Sequence, residues 1–312
     1  MKYTLNLFCM LSLILLFDGC TNKISLSKEF ILEGKISISD FYSNEIAESF
    51  SKLTSNELGS YCPLSFDIKD NSFFIPSKVQ SEIKEFNKVN NKLFPIKVIK
   101  TKNKPDFIEL MKDDSWYYSS YVKHSIFKLD KTEILLSSSA DIYFKNCTEN
   151  IVYSSGFYFF NNRHVVDSIY YENIYDDWDY FLLPTKQFLV LSLSHENNIG
   201  CTFEIVNASL TKKILRIDNA EKYNTFKILG VYKDNIVLLL ANEETIEIIF
   251  CDLNSLTILQ RIKRSNPFNI ELMMGDYSNF WPNQFICKMK QNKIYLLGTS
   301  REELSFFSLD IN

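Results

Sequence analysis

The feature that most constrains this chain is an internal repeat. Asn235–Asn254 (NIVLLLANEETIEIIFCDLN) and Lys293–Asn312 (KIYLLGTSREELSFFSLDIN) align without a gap, pairing Ile236 with Ile294, Leu238 with Leu296, Leu239 with Leu297, Glu244 with Glu302, Ile246 with Leu304 and Asp252 with Asp310. Each copy reads as an apolar strand, a polar turn and a second apolar strand, and closes on Asp-[Leu/Ile]-Asn. Looser copies begin at Phe188 (FLVLSLSHENNIGCTFEIVN) and Ile134 (ILLSSSADIYFKNCTENIVY). The starts at 134, 188, 236 and 294 lie 54, 48 and 58 residues apart. A strand-bearing period of this length suits a four-stranded β-propeller blade and no helical repeat.

Four hairpins follow from alternating strands around short polar turns: Ser125–Lys128 with Thr132–Ser137, Asp179–Leu183 with Gln187–Ser192, Thr225–Tyr232 with Asn235–Leu240, and Gln284–Lys290 with Lys293–Leu297. The first member of each is read as the inner strand of a blade. Gly156–Phe160 and Val165–Tyr171 are further strands without an assigned blade. Cys62–Ser77 reads as strand, turn and strand, and Lys78–Asn91 as a short helix or a charged hairpin. Counting one blade around Phe73 and one between Gly156 and Asp176 gives five or six blades, and six is adopted. A two-sheet sandwich is the alternative, but its strands need no such period.

Ser255–Lys263 reads as the outermost strand of its blade, and the last repeat ends at Asn312, the position equivalent to Asn254. An outer strand for the last blade must therefore come from elsewhere, since an unpaired edge exposes its backbone groups. Phe30–Ser39 (FILEGKISIS) alternates Ile31, Ile36 and Ile38 with polar neighbours and is expected to pair with Leu304–Leu309, closing the ring.

The chain opens on Lys2 and a 13-residue apolar run, Leu5–Phe17, followed by Gly19-Cys20. That run falls short of the roughly 20 residues that span a bilayer, so a cleaved export signal is favoured. A small residue and then Cys after the apolar core resembles the lipobox of bacterial lipoproteins, although Phe17 and Asp18 depart from its usual residues. The resemblance implies cleavage before Cys20 and lipidation of its thiol, which gives a signal peptide over 1–19, an anchored linker over 20–29 and a propeller domain over 30–312. Acyl chains would hold the domain at a membrane surface.

Net charge is −4, so a nucleic-acid partner, which needs a basic excess, is not expected. With only 8 glycines, the turns must be made by Asn, Asp and Ser clusters. Five cysteines follow Cys20; Cys147, Cys201 and Cys251 fall at matching places in the repeats and are read as buried free thiols between blades. No Cys or His spacing suits a metal, and no cofactor is implied. Lys78–Lys104 carries eight lysines against Glu82 and Glu85. It reads as a solvated face, with contact to anionic lipid as the sharper alternative.

Enzyme motifs are missing: there is no Gly-x-Ser-x-Gly elbow, no His-Glu-x-x-His and no phosphate-binding glycine loop. The three tryptophans instead sit in segments rich in acids and aromatics: Lys112–Tyr121 (KDDSWYYSSY), Tyr170–Phe181 (YYENIYDDWDYF) and Gly275–Phe285 (GDYSNFWPNQF). Each is read as preceding an inner strand, which would gather Trp116, Tyr117, Asp176, Asp177, Trp178, Asp276 and Trp281 at one mouth of the propeller. Aromatic faces with carboxylate acceptors suit sugar rings or cationic groups. Ordinary packing between blades is the plain alternative.

A lipobox followed by degenerate strand repeats over most of the 293 residues from Cys20 resembles the TolB-like and six-bladed β-propeller lipoproteins of Gram-negative bacteria. The resemblance implies architecture and an envelope location; it carries no functional residue onto a position of this chain. Thr21–Ser25 lacks an acidic cluster, which favours the periplasmic side of the outer membrane. The expected function is a non-catalytic binding or scaffold propeller taking a glycan, peptide or protein partner. A carboxylate-based polysaccharide hydrolase or lyase, and a structural part of an envelope complex, stand beside it. Cys20→Ser is expected to abolish fatty-acid labelling and move the protein to the soluble fraction, read by labelling and fractionation of cells.

Overall fold

The computed structural model describes residues 24–50, 61–110, 114–120, 125–129, 222–223, 225–268 and 285–312, residues 52 and 123, and the strands named below between 134 and 217. Cys20 lies outside the described residues. Twenty-three strands make six antiparallel sheets among the described residues, nearly all from strands consecutive in the chain. After β1 (Ile31–Ser37) come two short helices, Ile38–Phe41 and Asn44–Phe50. The next sheet takes β2 (Asp67–Lys69), β3 (Ser72–Ser77), β4 (Glu82–Val89) and β5 (Lys92–Lys100). It is followed by β6 (Phe107–Leu110), β7 (Trp116–Ser120), β8 (Ser125–Lys128) and β9 (Ile134–Ser137). Three strands form the next sheet: β10 (Ile151–Tyr153), β11 (Gly156–Asn161) and β12 (His164–Tyr170). Then come β13 (Tyr180–Leu182), β14 (Phe188–Ser194), β15 (Gly200–Val206) and β16 (Lys212–Ile217). The fifth sheet holds β17 (Thr225–Tyr232), β18 (Asn235–Ala241), β19 (Thr245–Asp252) and β20 (Ile258–Ser265). The last holds β21 (Ile286–Lys290), β22 (Lys293–Thr299) and β23 (Glu303–Asp310), with β1 as its fourth strand in the order β1-β23-β22-β21.

The turns explain how so few glycines suffice. Asn90-Asn91, Lys233-Asp234 and Gln291-Asn292 all have positive φ, between 44° and 60°. Two consecutive residues in that region make the tight turn that matches strand twist, and Asn and Asp tolerate it best after glycine.

Burial shows why the repeat is so apolar. β18 and β19 are buried along nearly their whole length, because both faces of their sheet are covered. One face packs Phe226, Leu238, Ile249 and Cys251 around Ile217 of β16. The other packs Val237, Leu239, Ile248 and Phe250 against Ile294, Leu296 and Leu309 of the last sheet. That sheet's opposite face, through Tyr295, Leu297, Leu304 and Phe306, meets Phe66, Ile68, Phe73 and Ile75 of the β2–β5 sheet. Phe74 and Ile83 then pack on Ile108, Tyr118 and Phe127 of the β6–β9 sheet. Strands buried on both faces read as continuous apolar runs, whereas the outer strand β20 alternates half-buried and exposed residues. Cys251 sits in this packing with its thiol pushed up to about 12 by burial, which leaves it unreactive; Cys62 is also buried. Cys147 and the side chain of Cys201 lie outside the described residues.

The pairing expected for Phe30–Ser39 is present. β1 runs antiparallel to β23 from Ile31 opposite Ser308 to Ser37 opposite Glu303. The paired region also extends upstream of the linker boundary drawn from sequence. Ser25 and Asn312 exchange N–H···O bonds of 3.0 and 2.8 Å, and Ile24 and Leu26 are buried. A bulge at Glu33 turns its carboxylate inward, where it meets Lys88 of β4 and the Ser308 hydroxyl. Gly34 follows at the closest approach to the neighbouring sheet: a Cβ there would lie 2.7 Å from Leu93 Cγ.

Two expectations change. The hairpin expected of Ser125–Lys128 and Thr132–Ser137 holds the third and fourth strands of its sheet, β8 and β9 (Ile134–Ser137), not the first and second, so the copy starting at Ile134 is out of phase with the others. Alternation cannot tell one hairpin of a sheet from the next, and the true first strand, β6, spans only four residues after Pro105. Lys78–Asn91 supplies β4 and its turn, which is the hairpin reading rather than the helix.

Deleting Glu29–Ser39 removes the buried Ile36 and Ile38 with a whole ladder, and should lower the thermal midpoint by roughly 10 °C or more, read by calorimetry. Gly34→Ala should cost about 1–3 kcal/mol through overpacking against Leu93, and Leu93→Ala in the same chain should restore part of it.

Candidate functional site

β2, β6 and β21, each an edge strand of a different sheet, bring four charged side chains together. Alternation places them. Phe66 and Ile68 enter the core shared with the last sheet, so Asp67 between them points the other way. Ile108 packs in the next core, leaving Glu109 on the opposite face of β6. In β21, Cys287 and Met289 face the β17–β20 side, so Lys288 and Lys290 point back toward β2.

Asp67 Oδ1 accepts from Lys290 Nζ at 2.6 Å and lies 3.1 Å from Lys288 Nζ. It also accepts from its neighbouring Ile68 N–H at 2.7 Å, while Oδ2 accepts from Leu110 N–H at 2.7 Å. Lys288 Nζ donates to Glu109 Oε2 at 2.7 Å. Asp67 is fully buried, and the other three side chains are largely so. Burial alone would raise the Asp67 carboxyl, but the two ammonium groups and the Leu110 N–H outweigh it and hold it below its ordinary value. Burial would likewise depress Lys288, and its two carboxylate partners more than compensate. Glu109 resolves the other way: burial, with the Asp67 charge behind it, beats the pull of Lys288 and lifts its carboxyl to about 7. The cluster therefore ties three sheets together and can take up a proton near neutrality.

A second buried carboxylate, Glu247 on β19, is closed off. Arg261 Nε and Nη2 grip it at 3.0 and 2.9 Å, and the Tyr223 hydroxyl donates to it at 2.6 Å.

Of the residues chosen from sequence, Trp116 and Tyr117 are described; Asp176, Asp177, Trp178, Asp276 and Trp281 lie outside the described residues. Trp116 opens β7 opposite Leu110, half-buried, with its ring 4.0 Å from that of Phe74 at 34° in the neighbouring sheet. Tyr117, across from Glu109, is buried with Lys128 Nζ 5.7 Å from its ring centre. Because Ser125–Lys128 is a third strand, the Trp116 segment does not lead into an inner strand; it follows one, β6. The premise that all three tryptophan segments occupy equivalent connections thus fails for this one. Sequence reading missed Asp67, Glu109, Lys288 and Lys290. The available signal was charge alternating with apolar residues in short strands, one in FIEL and two in ICKMK.

No protein-family model and no curated protein matches the chain. Among solved structures it is similar to a virginiamycin B lyase from Staphylococcus aureus, with 9% identity over 92% of this chain and 99% of that one, at a TM-score of 0.49. A streptogramin B lyase is 10% identical over 81% of this chain and 95% of that one, with a TM-score of 0.43. The WD40 domain of Toxoplasma gondii coronin is 8% identical over 80% of this chain and 69% of that one, also with a TM-score of 0.43. None of these likenesses transfers an activity to this chain.

The raised Glu109 carboxyl has a pH consequence. Between its ordinary 4.5 and about 7 the folded protein holds a proton that the unfolded chain has released, so stability falls as pH rises through that window. Asp67 acts oppositely and lower: its contribution is present above the ordinary 3.8 and is lost as pH falls further. Glu109→Gln should flatten the slope between pH 5 and 7, a change of at most about 3 kcal/mol, read from urea midpoints. Asp67→Asn should destabilise by about 3–5 kcal/mol, because it leaves the largely buried Lys290 ammonium without its carboxylate partner and Lys288 with Glu109 alone.

Proposed function

We propose that the chain is a six-bladed β-propeller lipoprotein of the bacterial cell envelope, of TolB-like architecture, working by binding or scaffolding rather than by catalysis. The observation that carries the architecture is the sheet shared by the two chain ends: β1 completes it, and it packs between the β17–β20 and β2–β5 sheets. A last sheet lying between the sheet before it and the first one is what ring closure by an N-terminal outer strand would produce. The lipobox-like Gly19-Cys20 supports anchoring, and the lack of acids in Thr21–Ser25 favours the periplasmic side of the outer membrane.

Binding is favoured over catalysis by the state of the central acids. Asp67 is saturated by two lysines and two backbone donors, and Glu109 is held by Lys288, where a glycosidic acid pair would face an open cleft. The ligand on this reading is a glycan or peptide taken at the propeller mouth by the segments that precede β13 and β21, which contain Trp178 and Trp281. One observation favours a hydrolase or lyase instead, namely the Glu109 carboxyl raised to about 7, where it could serve as a general acid.

A glycan and peptide array probed with the chain from Thr21 to Asn312, paired with an assay for released sugar ends and unsaturated products, separates the readings. Binding without turnover, weakened at least tenfold by Trp178→Ala or Trp281→Ala, is the expected result. Product release abolished by Glu109→Gln would replace the binding reading with the enzymatic one.

A further inference from the structure

Among the described residues, the large apolar side chains left in solvent cluster on the outer strands of three successively packed sheets. They are Leu259 on β20, Ile31 on β1, and Phe94, Ile96 and Val98 on β5, with Val89 at the end of β4 beside them. Phe94, Ile96 and Val98 are 49%, 55% and 50% exposed; a bulge puts Phe94, opposite Asn87, and Val98, opposite Lys84, on the two sides of β5, so they flank its outer edge with Ile96 between them. An apolar edge strand ordinarily recruits another strand. β5 is poorly made for that: Pro95 has no N–H to give, and the ladder is broken by a bulge at Ile96. Side chains, not backbone, are what this edge offers.

Charge points to the occupant. Lys92, Lys97, Lys102 and Lys104 border the apolar residues, all exposed and without an ion pair among the described residues. The chain also enters the fold on the outer strand between β20 and β5. Ser27 N–H bonds Asp310 O at 3.1 Å, and Arg264 of β20 donates to Ser27 O at 2.9 Å. With acyl chains on Cys20, only Thr21–Lys23 separates the anchor from the buried Ile24, a reach of at most about 14 Å. So short a tether holds this side of the protein against the bilayer.

We propose that the face formed by β20, β1 and β5 docks on an anionic membrane surface. Phe94, Ile96 and Val98 enter the headgroup layer, and the bordering lysines lie at the level of the lipid phosphates. The proposal rests on the envelope-anchored reading but adds a contact that the lipid alone does not supply.

The test uses the unlipidated chain from Thr21 to Asn312, which keeps every strand of the fold, sedimented with vesicles of phosphatidylglycerol and phosphatidylcholine or of phosphatidylcholine alone. The chain should bind the anionic vesicles, and less so as salt is raised. Phe94→Ser with Ile96→Ser, and separately Lys92→Glu with Lys97→Glu, should each lower the partition at least about tenfold. Lys233→Glu, an exposed charge on the β17–β18 turn, should leave it unchanged. Thermal melts show that the variants remain folded. Failure to bind anionic vesicles, or binding that the β5 variants leave intact, overturns the proposal. So does a β5 variant that converts a dimer to a monomer in light scattering, since the face is then a contact between copies. Fatty-acid labelling of the Cys20→Ser chain is a separate measurement, so failure of the anchor and failure of the docking face are told apart.

Discussion

The pairing of β1 with β23 is the interaction on which the rest of the structure depends. The β17–β20, β2–β5 and last sheets each bury two faces, and a sheet with two apolar faces is stable only when both are covered. The β21–β23 strands satisfy this by lying between the β17–β20 and β2–β5 sheets. Without β1, however, β23 would be an open edge, and Ile36 and Ile38 would leave the core they share with Phe66, Phe73 and Phe86. Segments more than 260 residues apart in sequence thus complete one sheet. Loop-closure entropy grows only slowly with that separation, so the long span costs far less than its length suggests.

Charge is placed where sheets meet. Glu33, turned inward by the bulge in β1, contacts Lys88 across the junction with the β2–β5 sheet. Asp67 and Glu109 take Lys288 and Lys290 from β21, joining three sheets at their edge strands. Buried ion pairs add little net stability compared with apolar packing, but removing one partner is costly, so they discriminate between alternative arrangements. Apolar faces of similar shape could slide past one another; a carboxylate held by two lysines and two backbone N–H groups cannot. In this chain the apolar faces supply the stability and the charged junctions fix which sheet meets which.

The candidate sites were unequally legible. Tryptophans flanked by acids stand out in a sequence because both residue types are conspicuous there. Yet Trp116 turns out to pack on Phe74, an ordinary fate for a large ring between two sheets. Asp67, Glu109, Lys288 and Lys290 lie in three short strands far apart in the chain, and nothing local marks them as partners. Their meeting depends on three edge strands from distant parts of the chain reaching one place, and no window of sequence holds that information. The same limit produced the phase error at Ile134. Hairpins look alike whichever pair of strands they join, and the four-residue β6 carries too little alternation to announce itself.

What the sequence determined by itself was the local and periodic part. Two-residue turns at Asn90-Asn91, Lys233-Asp234 and Gln291-Asn292 dictate where strands reverse, because those residues accept positive φ. The continuous apolar runs of β18, β19 and β22 dictate burial on both faces and hence stacked sheets. The alternation of Ile31, Ile36 and Ile38 with polar neighbours even marks β1 as a strand. Tertiary structure alone decided the rest: the inward turn of Glu33, the requirement for glycine at position 34, the Asp67 cluster and the exposure of Phe94, Ile96 and Val98. Each depends on what stands opposite a residue in another sheet. A side chain's surroundings there are set by how whole sheets pack, not by its neighbours in the chain.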